Sequence, residues 1–235
     1  MSGGRRPWRA LLREDPGAVL RTYLVTDTAL CGGRGVVDVV RRAVAGGAGV
    51  VQVREKGGGG AERAELVRAV VAAVGGRALV LVDDDVELAV ACGADGAHVG
   101  QGDLAPRRAR RLLGAHAVLG LSAGTAGEVD AAAALREDDG APVVDYLGLG
   151  PVWATPTKPE ATAPLGLAVL ADLAARSHAA GLPCVAIGGV DLVRAPSVRA
   201  AGVDGACAVS ALCAAPDPEA AAAALDAPVP GGAAA

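Results

Sequence analysis

The feature that most restricts the fold is an alternation repeated eight times: a short Val- and Leu-rich run, a glycine-rich or polar turn, then a segment with helical spacing. The runs are TYLVTD (22–27), VVQVRE (50–55), ALVLVD (78–83), GAHVG (96–100), AVLGLSA (117–123), YLGLGPV (146–152), PCVAIGG (183–189) and GACAVSAL (205–212). Strands buried on both faces read as nearly continuous apolar stretches, because helices cover their outer surface. VVDVVRRAVAGG, AERAELVRAVVAAV, DDVELAVACG, LAPRRARRLLG, TAGEVDAAAALRED, PLGLAVLADLAARSHAAG and DLVRAPSVRAAG lie between the runs, and DPEAAAAALDA follows the last; all read as helices. Pro106 marks a helix start and Gly114 a stop. Eight such units predict a single-domain α/β fold, the TIM (β/α)8 barrel, with an open doubly wound sheet as the structural alternative.

The barrel is expected over residues 18–228, between an N-terminal extension (1–17) and a C-terminal tail (229–235). The extension could fray or tuck against the barrel, and Trp8 in it suits local packing or a subunit contact, which leaves a homo-oligomer open. With 52% hydrophobic residues but only 2% aromatic, the core must be built from Val, Leu and Ala. The 22 basic and 26 acidic residues are interspersed and give a net charge of -4, so nucleic acid has no electrostatic footprint here. Apolar runs are cut by Gly, Pro or charge before they reach membrane-spanning length, and the first residues contain no secretory core. The five cysteines, at 31, 92, 184, 207 and 213, form no zinc-type spacing and read as buried thiols of a reduced, cytoplasmic protein.

The chemistry lies in the turns. Gln52, Arg54 and Lys56 alternate at the end of the second run, so an extended backbone sends all three side chains one way. Gln can read a heterocycle, and Arg and Lys can neutralise polyphosphate; an exposed salt-bridge group is the plainer alternative. Asp83, Asp84 and Asp85 crowd the end of the third run, and Asp103 follows the fourth. Asp84 and Asp103 could hold a hard cation, Mg2+ rather than zinc, while Asp85 suits a helix cap; solvated-loop roles remain open for the whole cluster. Ser122 ends the fifth run, and Thr155, Thr157 and Lys158 sit in GPVWATPTK, where hydroxyls and a cation could surround phosphate or simply form a turn. Gly188 and Gly189 end one run, and Val209 and Ser210 lie in another, two places whose backbone N–H groups could share one phosphate.

The ordered set TYLVTD, VVQVREKGG, LVLVDDDVELA, ADGAHVGQGD, VLGLSAGT, DYLGLGPVWATPTK, VAIGGV and GVDGACAVSAL resembles the thiamine phosphate synthase family over roughly residues 20–225. The resemblance implies a TIM barrel that joins 4-amino-5-hydroxymethyl-2-methylpyrimidine diphosphate to a thiazole phosphate or its carboxylated form, releasing pyrophosphate. It implies that Gln52 reads the aminopyrimidine, that Arg54, Lys56 and Lys158 engage the diphosphate, and that Asp84 and Asp103 hold one Mg2+. Ser122 would lie by the diphosphate and pyrimidine, and Thr155, Thr157, Gly189, Val209 and Ser210 would line the thiazole-phosphate site. Arg54, Lys56, Ser122 and Lys158 would be the catalytic set, and His98 would serve packing or orientation. The chain departs from the family at Asp83, where Asn is common, and at Gly124, where His is frequent; Asp83 is kept as a substrate contact. A thiazole tautomerase of the same fold, or a noncatalytic phosphate-binding barrel, would use the phosphate loops without needing the diphosphate and Mg2+ groups.

Overall fold

A computed structural model describes residues 7–155 and 163–226. Two helices, α1 (Trp8–Glu14) and α2 (Pro16–Leu20), precede strand β1 (Thr22–Val25). There follow α3 (Thr28–Cys31), α4 (Gly35–Ala45), β2 (Val50–Val53), α5 (Gly60–Val74), β3 (Leu79–Asp83), α6 (Val86–Cys92) and β4 (Gly96–Val99). The second half runs α7 (Pro106–Leu113), β5 (Val118–Ala123), α8 (Ala126–Ala134), β6 (Tyr146–Leu149), α9 (Gly166–Ala179), β7 (Cys184–Ala186), α10 (Ala195–Ala200), β8 (Gly205–Ala208), α11 (Ser210–Cys213) and α12 (Pro218–Asp226). All eight strands are parallel, and β8 pairs with β1, closing the expected barrel and setting aside the open sheet.

Side chains alternate between two cores. Leu24, Val51, Val80, Val82, Ala97, Leu119, Leu121, Leu147 and Ala206 face outward into the helix layer, which removes apolar surface of both strands and helices from water. Tyr23, Val50, Leu79, Leu81, Val118, Tyr146, Val185 and Cys207 fill the barrel interior. The sequence has no Phe and only two Tyr, and both tyrosines lie in this interior.

At the start of every even strand from β4 on, an Asp ties down the odd strand before it. Asp95, Asp145 and Asp204 accept hydrogen bonds from the backbone N–H of Val80, Leu119 and Cys184 at 2.8–2.9 Å. The repeated ADGAHV, VDYLGL and VDGACA segments carry this device, satisfying donors that would otherwise be stranded at the barrel's lower rim.

The described part of the extension packs under the barrel. Trp8 and Leu12 join the interior cluster, and Arg9 pairs with Asp145 at 2.7 Å and with Glu137 at 2.9 Å. Arg110 takes the other Asp145 oxygen at 2.6 Å. The eighth apolar run ends as a strand at Ala208: Val209 leaves the extended region (φ -107, ψ -80) and Ser210 begins α11. Pro106 opens α7 and Gly114 caps it, as the sequence indicates. All five cysteines are buried free thiols. Among the described residues, no helix is long and apolar enough to cross a membrane.

Candidate active site at the carboxyl ends of the strands

The turns after the strands converge at one end of the barrel, the end at which such folds carry their chemistry. β2 and β3 are in register from Val50↔Leu79 to Val53↔Val82, so the segments that follow them emerge side by side. Gln52 faces the barrel mouth, 5% exposed, opposite Val25 and Leu81. Arg54 is fixed at its backbone by Thr26 Oγ1, which accepts from Arg54 N at 3.0 Å. Its guanidinium lies 3.6 Å from Asp83 and 3.9 Å from Asp27. Lys56 Nζ donates to Asp84 Oδ2 at 2.6 Å and lies 3.2 Å from Asp83 Oδ2.

Three carboxylates therefore approach two cations. Burial, and then the adjacent Asp84 charge, push the Asp83 carboxyl up from its ordinary value against the pull of Lys56 and Arg54. Asp103 is also raised, first by burial and then by Asp84, although the Gly100 N–H donates to its Oδ2 at 2.7 Å. Burial works against the Lys56 ammonium, but its bonds to Asp84 and Asp83 hold its pKa above the usual lysine value. Asp84 has a left-handed backbone (φ 61), the non-glycine example among the described residues, and its N–H donates to His98 O at 2.8 Å. Such a conformation costs about 1–3 kcal/mol and is retained where neighbouring structure demands it. Asp85 turns away and caps α6, accepting from Leu88 N at 2.9 Å.

An all-oxygen pair such as Asp84 and Asp103 suits Mg2+, which keeps most of its shell for water and phosphate. Asp103 stands close enough to Asp84 for the two carboxyls to share a hydrogen bond, and a cation between two such oxygens would relieve their mutual repulsion. Asp83, Asp84 and Asp103 do not, as a trio, bring ligand atoms within 4.8 Å of one another.

Ser122 is the penultimate residue of β5 and is held from beneath by a buried chain. Its Oγ lies 2.9 Å from His98 Nε2; His98 Nδ1 lies 2.8 Å from Tyr146 Oη, which lies 2.8 Å from Tyr23 Oη. Gly120 makes room for this chain, because a Cβ there would run into both the Tyr146 ring and His98. His98 thus stands between Tyr146 and Ser122. The two tyrosines and Gln101, whose amide donates to Ser122 O at 2.7 Å, escaped sequence reading. The cue for Tyr146 was its place in an otherwise aliphatic strand.

Across the mouth, Thr155 is half-buried after β6, Gly189 follows β7, and Val209 and Ser210 follow β8. Gly189 needs its positive φ of 67°, and a Cβ on it would stand 2.8 Å from Trp153 Cβ. Arg194 also escaped the sequence reading: it stacks 4.9 Å from the Trp153 ring centre and donates Nη1 to Gly189 O at 2.8 Å, pinning the β6 and β7 turns together. The expected contacts Thr157 and Lys158 lie outside the described residues.

The thiamine monophosphate synthase family model matches residues 22–212, which takes in every strand and each of these turns. The thiamine-phosphate synthase of Laribacter hongkongensis is 47% identical over 186 residues, 78% of this chain and 82% of that one. That of a Psychrobacter species is 41% identical over 79% of this chain and 84% of its own. The solved structure of thiamine phosphate pyrophosphorylase from Pyrococcus furiosus superposes with a TM-score of 0.75 at 31% identity, covering 90% of this chain and 96% of that one. The chain belongs to the thiamine monophosphate synthase family.

Proposed function

We propose that this chain is a transferase that joins a pyrimidinylmethyl diphosphate to a thiazole phosphate, forming thiamine phosphate and releasing pyrophosphate. The observation that carries the reading is the crowding of Arg54, Lys56, Asp83 and Asp84 at neighbouring strand ends, a set suited to a diphosphate with its cation rather than to a lone phosphate monoester.

Each residue then has a definable task. Gln52, nearly buried, offers its amide to the aminopyrimidine edge. Arg54 and Lys56 oppose the charge that accumulates on the departing diphosphate, with Lys158 as a third cation. Ser122, aligned by His98, donates or accepts at the same group. Asp84 and Asp103 would hold Mg2+, which when bound supplies further neutralisation of the diphosphate. Asp83 contacts substrate or tunes the neighbouring charges. Thr155, Thr157, Gly189, Val209 and Ser210 bind the thiazole phosphate and aim its ring nitrogen at the methylene carbon.

The carbon–oxygen bond to diphosphate breaks as the pyrimidine stabilises positive charge at that carbon, and the thiazole nitrogen then forms the new bond. No protein nucleophile is needed. Incubating the purified chain with both substrates, with EDTA and then with excess Mg2+, tests the proposal. Thiamine phosphate should form only with the ion restored. A tautomerase or a phosphate-binding barrel would release no pyrophosphate.

A further inference from the structure

The opposite end of the barrel holds a second convergence of side chains with different chemistry. His178 near the end of α9, Cys184 opening β7 and Asp204 just before β8 bring one ligand atom each within 4.8 Å of one another. His178 Nε2 lies 2.8 Å from Asp204 Oδ2 and 3.8 Å from Cys184 Sγ. Ligands around a tetrahedral zinc at bond lengths of about 2.0–2.3 Å stand roughly 3.3–3.8 Å apart. Opening the His178–Asp204 contact by about half an ångström would therefore give three corners of such a site. His178 can make that shift, because its side chain is 41% exposed at a helix end, whereas Cys184 is fully buried in the strand.

Asp204 is held in place by the strand beside it. Its Oδ2, the oxygen that meets His178, also accepts from Cys184 N at 2.8 Å, a backbone bond that keeps the carboxylate beside the other two groups. Asp145 occupies the equivalent place before β6, and there the added partners are the guanidinium groups of Arg9 and Arg110. At Asp204 they are an imidazole and a thiol. A cavity of about 230 Å³ lined by His178, Gly181, Leu182 and Pro183 adjoins the imidazole, and a water would be the fourth ligand that completes the tetrahedron.

We propose that His178, Cys184 and Asp204 form a binding site for a borderline divalent cation of the Zn2+ type, separate from the carboxylates at the barrel mouth. The mixed nitrogen, sulfur and oxygen set selects against Mg2+. Binding removes the thiol proton to solvent and forms a metal–sulfur bond without oxidation or reduction. Burial and Asp204 push the free thiol up to about 12, so the site would load with release of a proton that is otherwise firmly held. The ion would bolt the end of α9 to the starts of β7 and β8.

Chelator-treated full-length protein, kept in saturating Mg2+ to occupy the carboxylates at the mouth, is titrated with Co2+ and then with Zn2+. The expected result is one Co2+ per chain with a thiolate-to-cobalt charge-transfer band, abolished by Zn2+, and a rise in thermal midpoint on Zn2+ addition. Cys184→Ser should lose the band, and His178→Ala, a change at the surface that tests the site even if the serine variant folds poorly, should weaken binding at least tenfold. Thiamine phosphate formation should be unchanged in both. Absence of the band in the parent, its survival in Cys184→Ser, or equal affinity in His178→Ala would overturn the site.

Discussion

Lys56 and Asp84 form a 2.6 Å ion pair that joins the turn after β2 to the turn after β3 at the barrel mouth. The cation expected to face the diphosphate is therefore shared with a carboxylate expected to hold the metal. Replacing Lys56 with Ala should lower kcat/KM about 100-fold, the scale set by loss of one charge-stabilising donor. The same variant should bind Mg2+ more tightly than the parent when no substrate is present, because an opposing charge has gone. Calorimetric Mg2+ titration beside steady-state kinetics checks both; parallel loss of metal affinity and turnover would contradict the arrangement.

Asp83 has a carboxyl raised by burial and by Asp84. A carboxyl raised on folding contributes stability that is fully present below its unfolded value and is lost as pH rises through the folded value. Asp83→Asn should therefore raise the thermal midpoint of metal-free protein at neutral pH, with the difference closing near the ordinary value of 3.8. Activity should stay within about tenfold of the parent, less than ~1.4 kcal/mol in the barrier. Initial rates across a Mg2+ titration, with folding monitored separately, decide it, and near-complete loss not recovered by excess Mg2+ would assign the carboxylate an essential role.

Tyr146 links Tyr23 to His98 inside the barrel. Tyr146→Phe leaves both neighbours without that partner and should cost about 1–3 kcal/mol by denaturant titration. Because His98 also meets Ser122, kcat should fall while KM for the thiazole phosphate stays near the parent value. An unchanged kcat in a destabilised variant would make the chain purely structural.

Asp145 joins Arg9, Arg110 and the Leu119 N–H under the barrel. Asp145→Ala removes the carboxylate shared by half-buried Arg9 and buried Arg110, leaving Glu137 as their remaining acidic partner, and should cost about 3 kcal/mol, with α1 released to hydrogen exchange ahead of the strands. Equal protection of α1 in parent and variant would show that Trp8 and Leu12 alone hold it.

The strands were legible because both their faces are apolar, and the turns because polar residues stand at their ends. Gln52, Arg54 and Lys56 could be grouped from spacing alone, as could Asp83 and Asp84. What periodicity could not supply was pairing across the chain. Arg9 meets Asp145 across 136 positions, and nothing local in WRALLRE announces a part-buried ion pair. The Tyr146–His98–Ser122 chain likewise depends on barrel closure and on the space left by Gly120. GACAVSAL reads as one apolar run, but the backbone turns at Val209, and a short apolar helix follows the strand with no break in hydropathy between them. This turn is also where Ser210 gains its place at the rim. Arg194 over Trp153 is a contact between two turns 41 residues apart in the chain and carries no local pattern.

The most direct test follows both products by phosphorus NMR while the purified chain reacts with pyrimidinylmethyl diphosphate, thiazole phosphate and Mg2+. Thiamine phosphate and pyrophosphate should rise together in equal amounts, with neither appearing when any one component is omitted, and Asp84→Ala and Asp103→Ala should slow both without unfolding the barrel. Consumption of thiazole phosphate without pyrophosphate, or diphosphate cleavage independent of the thiazole, would contradict a condensation at this site.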